Sequence, residues 1–404
     1  MPPGTGTVGD GGTPDRRGGE GARVRVLIAG GGVAGAATAM AVQLAGHEPA
    51  VFEAHRSGGA DAGAFLVLMA NGMAALREIG ADGPVAEASV ASTGLELVAP
   101  DGTIAANRSY EDGSGPRTIT RAALYRVLQE EAVRRGIPVR HGKRLVGADH
   151  GADGVTARFA DGTSAGGDIL VGADGLRSLV RRLIDPAVPE PRYTGISVVY
   201  GYARDVAAAP GIYRMVQGRF AAFGCTTGPD GVTSWFARVP DTERSRDEIA
   251  VTTPAGWREL ALSVFRGTPA PGRQREQASP GYAPAASDFP GESLPPAEII
   301  AASGDEVFGD HAYDLPSVPH WSTPRMVLVG DAVHAFSPAA AAGASMAIED
   351  AVTLGECLRT RPDALSAFAA YEKERREPME KLVAAALTHD AERVAAYRAG
   401  TRRR

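Results

Sequence analysis

The stretch RVRVLIAGGGVAGAATAMAVQLAGHEPAVFEA, residues 23–54, constrains this chain more than any other. A short apolar run meets three glycines, continues into an alanine-rich helical stretch, and returns through Pro49 to a second apolar run. Strand-length runs on either side of a helical segment predict a βαβ unit, whose parallel strands must be covered by helices. Gly30, Gly32 and Gly35 fall at the strand-to-helix turn in a G-x-G-x-x-G pattern. There the first glycine permits the tight bend, the second lets the backbone approach a pyrophosphate, and the third lets the helix pack against the strand. The helix N-terminus offers unpaired N–H groups to phosphate. Glu53, about twenty residues on, ends the second strand, where a carboxylate can accept hydrogen bonds from ribose hydroxyls. An NAD-dependent dehydrogenase would also fit these residues.

At 404 residues the chain is long enough for two intertwined domains. Residues 1–22 carry no apolar segment and are expected to be a disordered leader, and no run of about eighteen apolar residues occurs. TRAALYRVLQEEAVRRG, residues 120–136, predicts a helix with Leu124, Leu128 and Val133 on one face. VTARFADGTSAGGDILVGADG, residues 155–175, predicts two strands about a turn at Asp161-Gly162. The middle third is different. ISVVYGYARDV, IYRMVQGRFAAFGC and GVTSWFARVP read as strands, with GPDG at 228–231 as a hairpin turn, and predict a separate β-rich domain.

From Gly267 to Pro296 the chain is crowded with Pro, Gly and Ser, as expected of a long mobile connection. RMVLVG then returns as a buried strand, and ASMAIEDAVTLGECL predicts a helix with Ala347, Ala351, Leu354 and Leu358 in register. A helical tail from about Asp363 carries the pair Glu372 and Arg376 and is expected to break at Pro378. The division expected is a leader (1–22), a nucleotide-binding domain in two parts (23–185 and 297–362), a β-rich domain with its connection (186–296), and C-terminal helices (363–404).

The formal charge of −6 suggests neither a nucleic-acid nor an anionic-membrane partner. Cys225 and Cys357 are the only cysteines, which leaves no disulfide framework or metal cluster and fits a reducing, cytoplasmic setting. His311 and His334 read as structural, since neither has an identified partner. Tyr193, Tyr200, Tyr202 and Tyr213 read as core of the β-rich domain before pocket lining.

Two further stretches have the form of the first. In DILVGADGLRSLVRR, Asp174 and Gly175 lie where a strand passes into a helix, with Ser178 and Arg181 in its first turns. In VLVGDAVHAFSP, Gly330 and Asp331 end another strand. Either pair alone reads as readily as an ordinary turn or N-cap. With TRAAL, carrying Arg121, between the first two, the set resembles the FAD-dependent aromatic hydroxylase family, single-component flavoprotein monooxygenases with the p-hydroxybenzoate hydroxylase fold. The resemblance runs from about Arg23 to Arg376.

It implies an α/β fold: a Rossmann-like FAD-binding domain intertwined with a β-sheet-rich substrate domain, and a C-terminal helical segment. By position, it implies that Gly30, Gly32, Val33, Ala34, Gly35 and Glu53 hold the ADP half of FAD. Arg121 matches the arginine near the pyrophosphate and ribityl chain. Asp174 matches the aspartate linked to FAD and nicotinamide-cofactor handling, and Asp331 the one that binds the ribityl chain. Pro338 matches the proline beside the isoalloxazine ring, and the helix from Gly343 and Ala344 points its positive end there.

The implied reaction uses NADPH or NADH and dioxygen to hydroxylate or epoxidise a small, largely apolar, aromatic or polyketide-like metabolite, in a monomer or homodimer. Where the family commonly has Gly-x-Gly followed by Asn, this chain has Ala341, Ala342, Gly343, Ala344 and Ser345. A flavin-dependent reductase or dehydrogenase of the same superfamily, or a flavin-binding protein without catalysis, stays open beside the monooxygenase. No acid–base pair stands out, so no catalytic residue is assigned.

Overall fold

The structure, a computed structural model, describes residues 23–56, 64–99, 102–110, 113–151, 153–206, 209–217, 221–266, 295–315, 317–337 and 342–401. The expected leader, residues 267–294 of the expected connection, and Pro338 lie outside them.

The chain opens with β1 (Arg25–Ala29), α1 (Val33–Leu44) and β2 (Glu48–Phe52), the βαβ unit expected. Next come β3 (Phe65–Leu68), α2 (Ala70–Glu78), α3 (Asp82–Glu87), β4 (Val90–Ala91), β5 (Gly94–Val98) and β6 (Ile104–Ser109). They lead to β7 (Arg117–Thr120), α4 (Arg121–Arg134) and β8 (Val139–Arg140). A meander of β9 (Leu145–Gly151), β10 (Gly154–Phe159) and β11 (Ser164–Gly167) precedes β12 (Ile169–Gly172) and α5 (Leu179–Ile184). The middle third holds β13 (Arg192–Ala203), β14 (Ile212–Gln217), β15 (Ala222–Thr227), β16 (Thr233–Pro240), α6 (Arg246–Ala250), α7 (Pro254–Phe265) and α8 (Pro296–Ala301). Last are β17 (Ser303–Asp314), β18 (Met326–Leu328), α9 (Asp331–His334), α10 (Gly343–Thr360) and α11 (Ala364–Thr401).

Five parallel strands form one sheet in the order β8-β2-β1-β12-β18. Val26 to Ala29 of β1 are buried at its centre, beneath the packed helices α1, α4 and α10. Phe159 of β10 stacks on Phe52 of β2 with centroids 4.7 Å apart, so the meander also covers part of the sheet. The chain builds β2 and β8 on one side of β1, then crosses to β12 and β18 on the other. In an open parallel sheet, ligands bind outside the carboxyl ends of the strands where the order reverses, here between β1 and β12.

A second sheet has seven strands in the order β17-β13-β16-β15-β14-β5-β6, all antiparallel neighbours except β14 and β5. It draws β5, β6 and β17 from outside residues 186–296, the span expected for the β-rich domain. Strand alternation gives it two different faces. Trp235, Ala237 and Val239 pack with Trp257 and Phe265 of α7 and Ile300 of α8. Phe236, Val198 and Tyr213 turn the opposite way and meet Phe65 and Val67 of β3. The sheet thus joins the nucleotide unit through an apolar seam.

Two helical expectations differ from the structure. Val133 is 57% exposed, because nine residues from Leu124 is about half a turn around a helix, and Val127 and Ala132 fill the buried face instead. Pro378 does not break the tail: α11 runs from Ala364 to Thr401 with the proline inside. Arg376 straddles that point, bonding Glu372 at 2.6 Å and Glu380 at 3.1 Å and donating to the carbonyls of Val318 and Pro319. Tyr371, Met379 and Val383 are buried on either side, so packing offsets the lost N–H bond. Among the described residues no helix is long and apolar enough to cross a membrane, and no group of side chains could hold a metal ion.

Candidate active site

Four carboxyl ends of adjacent strands meet at one edge of the parallel sheet. Gly30 follows β1, Glu53 follows β2, Asp174 lies two residues past β12, and Gly330 and Asp331 lie just past β18. Parallel pairing in register aligns Ala29 with Phe52 and Gly172, and Gly172 with Leu328, so the motifs converge although 300 residues separate the first from the last.

The glycine turn is held by backbone, which explains its composition. Gly30 has φ +101°, and a Cβ there would lie 2.3 Å from the Ala173 carbonyl oxygen. A Cβ on Gly35 would lie 1.9 Å from the Gly30 oxygen. Gly32 differs, since its nearest neighbour would be the Tyr125 ring at 3.8 Å. The space beside it is open to a ligand. Glu53 is 8% exposed and already engaged: the Gly31 N–H donates to Oε2 and the His55 N–H to Oε1, both at 2.7 Å. Gln129 of α4 donates to the Gly31 carbonyl at 2.6 Å and clamps the loop from behind.

At the second motif, Asp174 accepts bonds from the Ser178 hydroxyl and from the Leu179 and Val180 N–H groups, which makes it the anchor of α5. Burial raises its pKa, against the pull of those donors. Ala173 and Gly175, on either side of Asp174, line the cavity. Arg181, 1% exposed, donates to the Leu176 carbonyl at 2.8 Å and the Ala332 carbonyl at 3.0 Å, tying the second motif to the third.

The third motif is braced by a buried charge cluster. Asp350 of α10 is wholly buried and accepts from the Gly330 N–H at 2.9 Å, His334 Nε2 at 2.5 Å and Arg375 Nε at 2.8 Å. Asp331 sits between two of these anchors. Burial works against the Asp350 carboxylate, yet His334 and Arg375 hold it down at about 2. For His334 burial lowers the pKa, and the charge of Asp350 outweighs it, so the net shift is upward. His334 is thus committed through Nε2 to Asp350 and is not among the residues lining the cavity. His311 likewise contacts Ser197 at 2.9 Å and accepts from the Arg244 N–H at 2.7 Å.

One cavity of about 260 Å³ collects Gly32, Val33, Ala34, Arg121, Asp331, Gly343 and Ala344. Two helices begin at its edge, α1 at Gly32 and α10 at Ala342, neither with a side-chain cap or an acidic residue in its first turn. Their N–H groups and positive ends are left for an anionic or electron-rich ligand. A Cβ on Gly343 would meet nothing within 4 Å. Ser345 seats α10, accepting from the Met69 N–H at 3.2 Å. Gly30, Gly35, Glu53 and Asp174 shape the site from beneath the lining. Tyr200 and Tyr213 do line the cavity, whereas Tyr193 and Tyr202 do not.

Gln129, Asp350 and Arg375 had no place in the sequence reading. Asp350 did leave a signal there, as a carboxylate three residues after Ala347 and four before Leu354 on an apolar helix face.

Residues 23–251 and 314–386 match the family described as FAD binding domain. The chain is 31% identical over 374 residues to the aurachin C monooxygenase/isomerase of Stigmatella aurantiaca, covering 89% of this chain and 87% of that protein. It is 33% identical over 358 residues to the 3-amino-4-hydroxybenzoate 2-monooxygenase PtnB3 of Streptomyces platensis, covering 83% and 80%. The structure of HpxO from Klebsiella pneumoniae complexed with FAD and uric acid superposes with a TM-score of 0.74 at 25% identity, over 94% of this chain and 93% of that one.

Proposed function

This chain belongs to the FAD-dependent aromatic hydroxylase family, an FAD-dependent oxidoreductase, and from that premise we propose that it uses NADH or NADPH and dioxygen to hydroxylate or epoxidise a small, largely apolar metabolite of aromatic or polyketide-like structure. The observation that carries the proposal is the cavity's double character. One wall presents two uncapped helix N-termini with Arg121 and Asp331, and the other presents the apolar face of the seven-stranded sheet.

The residues present fit FAD. Gly32 leaves room for a pyrophosphate beside the α1 N-terminus, with Arg121 as a second source of positive charge. Glu53 keeps free lone pairs on both oxygens for ribose hydroxyls, because each oxygen is engaged by only one N–H. Asp331 would accept from ribityl hydroxyls, and the α10 N-terminus would stabilise negative charge on the ring. Bound FAD would supply electron acceptance from the nicotinamide and activation of dioxygen. The chain's part is to position that cofactor and keep water from the reacting centre.

Glu53→Ala is expected to weaken FAD binding by about 10- to 100-fold, since charge-assisted hydrogen bonds contribute roughly 1.5–3 kcal/mol each. Fluorescence titration of the apo-protein with FAD measures this, and an unchanged affinity would remove Glu53 from the ribose site. For the reaction, substrate-stimulated NAD(P)H oxidation should be coupled to incorporation of labelled dioxygen into product. Oxidation without incorporated oxygen would assign the chain to the flavin reductases or dehydrogenases instead.

A further inference from the structure

The second half of α11 carries one residue that does not match its surroundings. Met379, Val383, Ala386 and Asp390 follow one another at helical spacing along the buried face, and Asp390 is only 2% exposed. Its Oδ1 accepts from Arg238 Nη2 of β16, itself 2% exposed. The pair meets end-on, so that Arg238 Nε and Asp390 Oδ2 have no partner among the described residues. A buried ion pair with unpaired atoms adds little stability over apolar side chains of similar volume. What it can fix is position.

Arg238 stands where position matters. It shares a face of β16 with Phe236 and lies opposite Val198 of β13, and both of those residues line the cavity. Its Nη2 also donates to Ser337 Oγ at 3.0 Å. Two residues earlier, the Ala335 carbonyl accepts from the Leu315 N–H at 2.8 Å. Phe336, between these two anchors, lines the cavity. Thus α11 reaches the cavity wall through Asp390, Arg238 and Ser337, none of which lines it.

We propose that Arg238 and Asp390 are positioning residues: they pin Ser337, hold Phe336 in the cavity wall beside the flavin, and so make the C-terminal helix a working part of the site. This rests on the reading above that the cavity holds the flavin.

The test compares full-length, FAD-loaded wild type with two variants. Ser337→Ala cuts the chain of contacts and leaves the ion pair intact. The double variant Arg238→Met with Asp390→Leu removes both charges together, which leaves no lone buried charge behind. Thermal midpoint of the apo-protein and FAD affinity are measured first. Both variants should stay within about 3 °C and about three-fold of wild type, because the pair adds little stability and the turn at Gly32 is untouched. Visible circular dichroism of the bound flavin, and quenching of its fluorescence by iodide, then read the surroundings of the ring. In both variants the dichroism should fall to about half or less and the quenching constant should rise about three-fold, because a wall residue without its support loosens. Unchanged dichroism and quenching in Ser337→Ala, or in the double variant when it folds, would overturn the proposal. The two readings fail separately. Wild-type FAD affinity in Gly32→Ala would take the flavin out of this cavity and remove the premise. Weakened FAD binding in Gly32→Ala, with an unmoved flavin signal in Ser337→Ala, sinks this inference and leaves that reading standing.

Discussion

Asp350→Ala is expected to destabilise the apo-protein by about 3–5 kcal/mol, the usual cost of removing one partner from a buried ion cluster. The reason lies in what stays behind. Arg375 is 8% exposed and His334 4% exposed, and both would keep buried donors with their acceptor gone. The Gly330 N–H would lose its acceptor as well, at the turn that presents Asp331 to the cavity. Flavin affinity should therefore fall together with stability. Asp350→Asn, which keeps an acceptor oxygen but not the charge, should fall between.

The same cluster sets a pH window. The Asp350 pKa is depressed to about 2, so its contribution is present above the unfolded value near 3.9 and is lost as pH falls toward 2. The His334 pKa is raised, so its contribution is present below about 6.5 and is lost as pH rises through the folded value. Both are present together between about pH 4 and 6.5. Urea midpoints of wild type and Asp350→Ala across pH 3–9 should differ most inside that window. A flat difference, or one within about 0.5 kcal/mol everywhere, would mean that the cluster does not organise the turn.

The second large effect separates two glycines of one motif. Gly32→Ala should leave the apo-protein as stable as wild type and weaken FAD binding more than about 100-fold, because preorganised phosphate contacts depend on backbone approach. Gly32 has φ −71°, which alanine adopts freely, and the new Cβ would find its nearest protein atom 3.8 Å away. Gly35→Ala should do the opposite. Its Cβ would lie 1.9 Å from the Gly30 oxygen, so α1 or the turn must move, and stability should drop by about 3 kcal/mol or more before any ligand is considered. Thermal unfolding without flavin and titration with FAD measure the two quantities independently. Wild-type FAD affinity in Gly32→Ala would show that no phosphate lies against that glycine.

Much of the site was legible because its residues carry local constraints. Gly30 must adopt a positive φ and Gly35 must admit a carbonyl, and only glycine does either, so the spacing survives as text in the sequence. Asp174 and Asp331 each follow a strand-length apolar run, and although either alone has an ordinary local explanation as a turn or N-cap, their order along the chain carried the resemblance. The helical periods of α4 and α10 were equally readable, apart from Val133, where the heptad-like spacing was carried one residue too far around the cylinder. Pro378 was misread for the opposite reason. A local rule about proline yields when ion pairs and buried side chains on both sides hold the helix together.

The sequence by itself determined the parallel βαβ unit, its phosphate-shaped turn and the order of the three motifs, since these depend on dihedral angles and on periods of two and 3.6 residues. Only the tertiary structure decided what the motifs rest on. Gln129 reaches Gly31 across 98 residues, Arg181 reaches Ala332 across 151, and β5 pairs with β14 although more than a hundred residues separate them. It likewise decided that Tyr213, one aromatic among several in a β-strand, lies in the wall of the cavity. Such contacts are fixed by the packing of sheets against each other, and nothing in the residues on either side of Gln129, Arg181 or Tyr213 specifies which distant surface will cover them.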